Sequence, residues 1–396
     1  MPMLPLTTIH DLHGTEVAFL IGMLRERLGN RDAFESYHPD MSRMDQEKLT
    51  RLMIAHEVVH LARVQGPSGS MLSEDTQRVL VESLRLRSAW NLALFREMQV
   101  LCGRLNDLGV DVLVYKGLVL CKTLHGDLTT RPTRDLDILV RSSDFLRLRE
   151  ELLRKGFRED YHFPERYVRY YMGVNREAAF SKMLPDGVEL NVEVQWAPVL
   201  PMYDVPFDNA PFFERAVPAA WGGNVVRIPS LEDQFLLLLA HHGVSELWHS
   251  LKHVTDLAFF LEGRGGELDW AGVNEGIRRW GMVGHAGMGF ALCRELLGID
   301  VPQGSSFSAD DRLLKVMLDR LLGERLASRD QILPANMSLQ LSLTQGLPAK
   351  SRLLWGYLRK WASPSLTDLE HLRLPRVLFP LYYVLKPFRF MYAPKG

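Results

Sequence analysis

The chain changes its pattern of hydrophobic and polar positions twice. In residues 1–108, and again after about residue 225, apolar residues recur at the spacing of three and four that is typical of amphipathic helices. Between these parts, short β-rich runs predict strands. The pattern therefore predicts an α+β chain in three parts: a helical N-terminal region (1–108), a sheet-containing core (109–228) and a helical C-terminal region (229–396).

The most regular N-terminal helix is expected to follow Ser73, a suitable N-cap with two acids directly after it. Its apolar face continues for about 30 residues, and Gly109 is well placed to end it. The segments Val17–Leu28 and Leu49–Val64 predict two earlier helices. His56 and His60 are four residues apart on the second of these. With no third ligand nearby, packing is the better interpretation than a metal pair.

The core begins with a strand predicted over Val110–Tyr115, and a short helix runs from Gly117 to Leu124. A second apolar strand covers Leu136–Val140. Ser143 is then expected to cap a helix that ends at Gly156. These runs predict a mixed sheet with helices beside it.

A β-hairpin is predicted where residues 177–184 and 188–196 flank the turn Pro185-Asp186-Gly187. Alternation along the second arm places Glu189, Asn191, Glu193 and Gln195 on one face. A polar face with two acids is typical of an edge strand or of a strand that lines a site.

The C-terminal region reads as a series of helices. Ser230 is expected to cap the first, and residues 247–261 predict the second. Further helices are expected near 270–298, 308–327 and 350–362. The last 25 residues contain four prolines and cannot form one long helix. We expect this tail to dock on the body of the protein, the alternative being a partner or a membrane surface.

Composition excludes several classes of protein. The formal net charge is −1, so the chain as a whole has no electrostatic attraction to nucleic acid. The three cysteines lack metal-type spacing and indicate reduced thiols. No apolar run approaches the roughly 20 residues that span a bilayer, and the N-terminus does not resemble a signal peptide. A cytoplasmic location is expected.

The candidate chemistry centres on Asp135 and Asp137 in the second strand. Residues at i and i+2 of a strand point to the same face, and carboxylate oxygens are the ligands that Mg²⁺ or Mn²⁺ prefers. A third acid on a neighbouring strand would complete a metal site, and Glu193 and Glu189 are the candidates. Taken alone, two such acids are more often an exposed edge.

Cations and a glycine surround the two acids. Gly117 allows close approach to a phosphate, and the helix that starts there offers free N–H groups. Lys116, Arg131 and Arg134 supply positive charge for phosphates. The alternative for either arginine is a structural ion pair with Asp135 or Asp127.

The order of these motifs resembles the DNA polymerase β-like nucleotidyltransferase superfamily, and within it the branch of uncharacterised nucleotidyltransferases. Lys116-Gly117, Arg131 and the Asp135/Asp137 pair match the motifs of that branch. Its later strand has an acid two positions before His-Trp, where this chain has Glu193 and then Gln195 in place of the His. The resemblance covers residues 108–262 and implies a mixed sheet flanked by helices, Mg²⁺ and an NTP donor.

The same branch carries a histidine-bearing helix followed by a basic residue and an aspartate. His241-His242 and the segment Lys252–Asp256 resemble that pattern. Lys252 could reach a triphosphate across a cleft, with Asp256 orienting it from one turn away. A solvated lysine is the alternative.

The expected reaction is transfer of a nucleoside monophosphate from an NTP to a hydroxyl, with Glu193 helping to deprotonate the acceptor. A small molecule, a sugar or a peptide is favoured as acceptor because the chain is not basic, while RNA ends, particularly tRNA, stay open. Two other classes also stay open. One is a transferase with another donor, a nucleotide sugar or a phosphoryl group, acting on a peptide or natural product. The other is a non-catalytic nucleotide-binding or scaffold protein.

Overall fold

A computed structural model describes residues 3–30, 34, 37–62, 65–160, 167–184, 187, 189–222, 224–301, 307–323, 333–365, 368–369, 374–375 and 378–386. The N-terminal part is helical, as its apolar spacing predicts. Its helices are α1 (Leu6–His13), α2 (Thr15–Arg27), α3 (Gln46–Ala55), α4 (Pro67–Ser70) and α5 (Glu74–Asp107), with a 3₁₀ turn over Val59–Leu61.

The core alternates short strands and helices. In chain order these are β1 (Val112–Val114), α6 (Gly117–His125), β2 (Leu136–Val140), α7 (Phe145–Arg154), β3 (Arg158–Glu159), α8 (Val168–Val174), β4 (Glu177–Met183), β5 (Glu189–Gln195), α9 (Ala210–Glu214), β6 (Val217–Trp221) and β7 (Asn224–Ile228). The C-terminal helices are α10 (Leu231–Leu238), α11 (Leu251–Arg264), α12 (Trp270–Arg279), α13 (Val283–Leu292), α14 (Asp311–Leu322), α15 (Leu333–Leu343), α16 (Leu347–Ala362) and α17 (Leu381–Leu385).

Five strands form a mixed sheet in the order β1-β2-β5-β4-β3. Strands β2 and β5 are parallel, and the other pairs are antiparallel. The hairpin of β4 and β5 is confirmed, and β5 is a central strand rather than an edge strand. Because a central strand seldom carries an acidic face without a reason, the polar face of β5 fits a strand that lines a site. Strands β6 and β7 form a separate two-stranded ribbon.

The two faces of the sheet contact different helices. Val114, Ile138 and Val192 belong to a core that the second half of α5 and helix α7 complete. Leu113 and Leu139 alternate with them and belong to a second core with the N- and C-terminal helices. The α+β architecture of a mixed sheet with flanking helices is therefore as predicted.

The second core contains residues from both ends of the chain. Phe19 of α2 and Leu49 of α3 share it with Phe235 of α10, Leu257 of α11 and Leu292 of α13. The N-terminal helices therefore pack together with the C-terminal helices. The boundaries at residues 108 and 228 remain predictions.

Two predicted caps are confirmed and one is wrong. The Ser73 side chain accepts a hydrogen bond from the Thr76 N–H, and Ser230 accepts one from the Asp233 N–H. Helix α7 begins at Phe145, so Ser143 does not cap it, and Asp144 at the cap position makes no side-chain capping bond.

The helix predicted over Leu49–Val64 is wrong beyond Ala55. The chain leaves the helix there because Glu57 adopts a left-handed backbone with φ of 55°. His56 and His60 consequently do not share a helix face, although both are buried. Residues 63 and 64 lie outside the described residues.

The described part of the C-terminal tail docks on the body of the protein. Tyr382 of α17 is buried against Tyr167, whose hydroxyl donates to the Leu374 carbonyl at 2.6 Å. The prolines at 387 and 394 lie outside the described residues. Within the ranges that the structure covers, no helix combines the length and the hydrophobicity needed to cross a membrane.

Candidate active site

A cavity of about 450 Å³ opens between the acidic face of the sheet and the helices opposite. Its walls come from the turn after α3, the β1–α6 junction, the loop before β2, strand β5 and helices α10 and α11. Every predicted site residue lines it: Lys116, Gly117, Arg131, Arg134, Asp135, Asp137, Glu193 and Lys252. Segments that are distant in sequence therefore meet at one site.

The strand register places two of the carboxylates side by side. Asp137 of β2 lies opposite Glu193 of the parallel strand β5. Asp135 precedes β2 and lines the same cavity. Glu189, the other candidate for the third acid, pairs with Met183 at the far end of β5 and does not line the cavity.

Lys116 lies beside this acidic pair. Its Nζ is 3.0 Å from Asp137 Oδ1 and 3.1 Å from Gln195 Oε1. Its backbone has φ of 51° and ψ of −136°, which is unfavourable for a residue with a side chain. Such conformations are retained mainly at functional sites, where the surroundings enforce them. Burial alone would lower the pKa of Lys116, but Asp137 raises it, so the lysine is charged.

Gln195 connects the acids. Its Nε2 donates to Asp137 Oδ1 at 3.0 Å and to Glu193 Oε2 at 2.8 Å. Its Oε1 accepts hydrogen bonds from Lys116 and from the hydroxyl of Tyr115. The uncharged amide of Gln195 thus holds two carboxylates in position. Gln195 stands where the related branch has His, so this position contacts the acids in spite of the difference.

The buried Asp137 carboxylate has two further acids near it. Burial raises the pKa of Asp137, Lys116 opposes that rise, and the nearby Asp135 and Glu193 add to it. A buried carboxylate beside two others binds a cation or a proton readily. No group of three or more His, Cys, Asp or Glu side chains is already gathered to hold a metal ion in the part of the chain that the structure describes.

Gly117 begins α6 and packs closely against the loop before β2. A Cβ atom there would lie 2.8 Å from the Thr133 Cγ2 and 3.4 Å from the Asp135 carbonyl oxygen. Its lack of a side chain therefore keeps α6 against the segment that carries Asp135. This close contact is made with protein, whereas the sequence suggested an approach to phosphate.

Arg131 makes a buried ion pair that crosses the cleft wall. Its Nε and Nη2 donate to the two carboxylate oxygens of Asp256 at 2.9 and 2.8 Å. The His242 Nε2 donates to the same carboxylate at 2.9 Å. The structural partners proposed from sequence, Asp135 and Asp127, are therefore wrong, and Asp256 does not orient Lys252. The predicted contact of Arg131 with phosphate stays a prediction.

Glu57 is a site residue that the sequence did not reveal. It accepts hydrogen bonds from Lys252 Nζ at 2.5 Å and from Arg134, whose side chain is 79% exposed. Burial would raise the pKa of Glu57, but Lys252 and Arg134 lower it. One carboxylate thus holds two of the four cations predicted to bind phosphate, Arg134 and Lys252, at the cavity. No sequence signal marked Glu57, because it lies inside a run with helical spacing.

Histidines form part of the opposite wall. His241 and His242 lie in a π-helical continuation of α10 over Leu239–Ser245, and His253 lies on α11. Burial lowers the pKa of His241 and His253 well below the usual value, so both are neutral near pH 7. Short π segments are frequent at functional sites because they redirect side chains.

Comparison with known proteins identifies the family. Residues 42–298 match the model of a family described as uncharacterised nucleotidyltransferase, and this match spans more than half of the chain. The chain belongs to this family. The nucleotidyltransferase match includes all of the acids and cations described above and extends into the N-terminal helices. No curated protein sequence is significantly similar to the chain.

One similar solved structure is a crystal structure of an antigenic nucleotidyltransferase-like protein from Paracoccidioides brasiliensis. The two chains are 19% identical, and the alignment covers 43% of this chain and 73% of that chain with a TM-score of 0.29. This likeness carries no argument about the site.

Proposed function

We propose that this protein transfers a nucleoside monophosphate from an NTP to a hydroxyl group of an acceptor, with release of pyrophosphate. The observation that carries the proposal is the meeting of Asp135, Asp137 and Glu193 with Lys116 at one cavity, in a chain of the nucleotidyltransferase family. An NTP donor follows from that family membership.

The donor atoms are of the type that a divalent cation such as Mg²⁺ or Mn²⁺ prefers. All three acids offer hard oxygen ligands, and burial, with Asp135 and Glu193 nearby, raises the pKa of Asp137, whose carboxylate a cation would stabilise. Asp135, Asp137 and Glu193 would hold the metal. When bound, it would neutralise phosphate charge and make the acceptor hydroxyl more acidic.

The side chains account for the remaining chemistry. The acceptor oxygen forms a bond to the α-phosphorus, and the bond from that phosphorus to the pyrophosphate oxygen breaks. Glu193 takes the proton of the acceptor hydroxyl. Without nucleotide, Lys116 donates to Asp137 and Lys252 donates to Glu57. In the proposed reaction both lysines turn toward the phosphates. The start of α6 at Gly117 offers further N–H groups to them.

Two arginines have different parts in this proposal. Arg134 lies at the rim, 79% exposed, and contacts the outer phosphates. Arg131 lines the cavity with its guanidinium held by Asp256, and it contributes positive charge near the phosphates.

The acceptor we favour is a small molecule, a sugar or a peptide. The cavity of about 450 Å³ is of the size that binds small ligands, and the net charge of −1 gives no general attraction to polyanions. RNA ends, including tRNA, serve as the comparison class in the test.

The test uses the full-length protein with Mg²⁺, each of the four NTPs labelled at the α-phosphate, and separate pools of sugars, peptides and tRNA. We expect label to move to one pool with stoichiometric release of pyrophosphate. Nucleotide sugars and γ-labelled NTP are run in parallel. Transfer from those donors alone would overturn the proposed reaction.

Two glutamates on the same strand provide the matched variants. We expect Glu193→Gln to reduce transfer by about a hundredfold or more, as for loss of a catalytic base or metal ligand. Glu189→Gln, at the other end of β5, should leave transfer unchanged. Equal effects of the two substitutions, or full activity of Glu193→Gln, would contradict the assignment.

A further inference from the structure

Helix α16 presents its apolar face to solvent. Five exposed apolar side chains line one side of it, with Trp355 64% and Trp361 69% exposed. The others are Leu347, Leu354 and Leu358. The spacing of 347, 354, 358 and 361 is that of a single stripe along a helix, and position 355 lies next to it. Single exposed apolar residues are ordinary, but a continuous stripe marks a surface that binds something.

The opposite side of α16 fixes the helix to the protein. Gly356 packs against the backbone of Met202, where a Cβ atom would lie 2.2 Å from the carbonyl oxygen. Lys360 Nζ donates to the Val174 carbonyl and to Asn175 Oδ1, both at 3.0 Å, at the end of α8. Leu353 is buried on this side. The apolar stripe therefore cannot turn inward to join the core.

A second exposed apolar surface is attached at the other end of α8. Leu381 and Val384 of α17 are exposed, while Tyr382 of the same helix is buried against Tyr167. Lys386 Nζ donates to the Ser363 carbonyl, directly after α16. The tail and α16 are thus joined, and each leaves apolar side chains in solvent.

Charge identifies the occupant of this surface. Residues 347–362 contain two lysines and two arginines and no acid. The whole chain has a net charge of −1, so this segment is more basic than the chain as a whole. Arg359 is exposed beside the stripe, and Arg352 donates to Asp204. Tryptophan and leucine on one face, in a basic helix with an exposed arginine beside that face, are typical of helices that lie in an anionic membrane interface.

We propose that α16 and α17 bind the surface of a bilayer that contains anionic lipids. The apolar stripe enters the headgroup boundary, and the flanking cations contact lipid phosphates. This inference is independent of the proposed nucleotide transfer.

The test is co-sedimentation of the full-length protein with two kinds of vesicle, phosphatidylcholine alone and an equimolar mixture with phosphatidylglycerol. We expect partitioning onto the mixed vesicles to be about tenfold stronger and to weaken as salt is added. Equal partitioning onto both kinds of vesicle, or none onto either, would overturn the proposal.

Matched variants locate the surface. The double variant Trp355→Ala/Trp361→Ala should weaken partitioning by about tenfold or more, since both side chains are exposed and lose apolar contact with lipid. Arg359→Gln should weaken it by about fivefold, the share of one interfacial cation. Leu12→Ala/Leu86→Ala removes two equally exposed leucines elsewhere and should have no effect.

Two outcomes among the variants would refute the assignment. Undiminished binding by the tryptophan variant would place the lipid contact elsewhere. A concentration-dependent dimer that the tryptophan substitutions abolish, without vesicle binding, would show that a second copy covers this face. Thermal unfolding of each variant confirms that the fold is retained, as expected for exposed positions.

Discussion

At the scale of single residues, Arg131 and Asp256 bury opposite charges between the loop before β2 and helix α11. Two hydrogen bonds join them, and His242 adds a third bond to the same carboxylate. Burial would raise the pKa of Asp256, but Arg131 and the His242 bond lower it well below the usual value. The carboxylate is therefore ionised, and it connects the sheet to the helical wall of the cavity.

We expect Asp256→Asn to reduce the free energy of unfolding by about 3 kcal/mol, because it leaves the buried Arg131 charge without its partner. Urea denaturation measures this loss. Arg134→Gln is the matched control: its side chain is 79% exposed, so the loss should be below about 1 kcal/mol. If Asp256→Asn reduced the free energy of unfolding no more than Arg134→Gln does, the buried pair would not contribute strongly to stability.

The sequence pointed to Asp135, Asp137 and Glu193 because the alternation of a strand fixes which side chains share a face. It could not pair Arg131 with Asp256, since 125 positions separate them and only the fold brings them together. Glu57 was hidden for a different reason. Glu57 itself adopts the left-handed backbone that ends the helix, and neither its residue type nor the apolar spacing around it gave a signal for that conformation.

At the scale of elements, the ends of helices offer a direct test of local sequence signals. Ser73 Oγ accepts the Thr76 N–H at 3.2 Å, and α5 begins at the next residue. Ser143 lies two residues before α7 and does not cap it. Helix α7 instead begins where Phe145 enters the core, so tertiary packing sets its first residue.

Ser73→Ala should therefore lower the free energy of unfolding by about 1 kcal/mol, the usual cost of a lost N-cap bond. Ser143→Ala should leave it unchanged within a few tenths of a kcal/mol. Chemical denaturation of the two variants gives both values. A comparable loss for Ser143→Ala would mean that this serine stabilises α7 after all.

Among the elements, strand β2 and the hairpin of β4 and β5 were predictable from local signals. These signals are an apolar run for β2, and period-two alternation with a Pro-Asp-Gly turn for the hairpin. The parallel pairing of β2 with β5 was not, since it joins segments separated by α7, β3, α8 and β4. That pairing is what brings Glu193, rather than Glu189, beside Asp137.

At the scale of the whole molecule, one core unites helices from the two ends of the chain. Phe19 of α2 and Phe235 of α10 are both fully buried in it. Helical periodicity shows that a helix has an apolar face, but it does not show which helix that face meets. The packing of the N-terminal helices therefore needed the structure, and it brings Glu57 to the cavity.

Buried histidines predict how stability depends on pH. Burial lowers the pKa of His56, His125 and His285 to about 4, whereas histidine in an unfolded chain titrates near 6.5. Between these values the unfolded chain binds more protons than the folded chain. The free energy of unfolding should thus fall with decreasing pH, by up to about 1.4 kcal/mol per pH unit for each histidine.

Urea denaturation between about pH 7 and about pH 5 measures this slope. His285→Gln should reduce it, because Gln can still donate to Gln340 and does not titrate. His38→Gln alters an exposed histidine and should leave the slope as in the unmodified protein. A flat profile in this range would contradict neutral burial of these side chains.

The central claim is that Asp135, Asp137 and Glu193 hold a divalent metal together with an NTP, and Mn²⁺ binding tests it most directly. Electron paramagnetic resonance of free Mn²⁺ is recorded as the protein is added with a non-hydrolysable NTP. We predict tight Mn²⁺ binding that depends on the nucleotide, is lost in Asp137→Asn and in Glu193→Gln, and is retained in Glu189→Gln. Equal Mn²⁺ binding by the unmodified protein and Asp137→Asn, or none by either, would contradict the account.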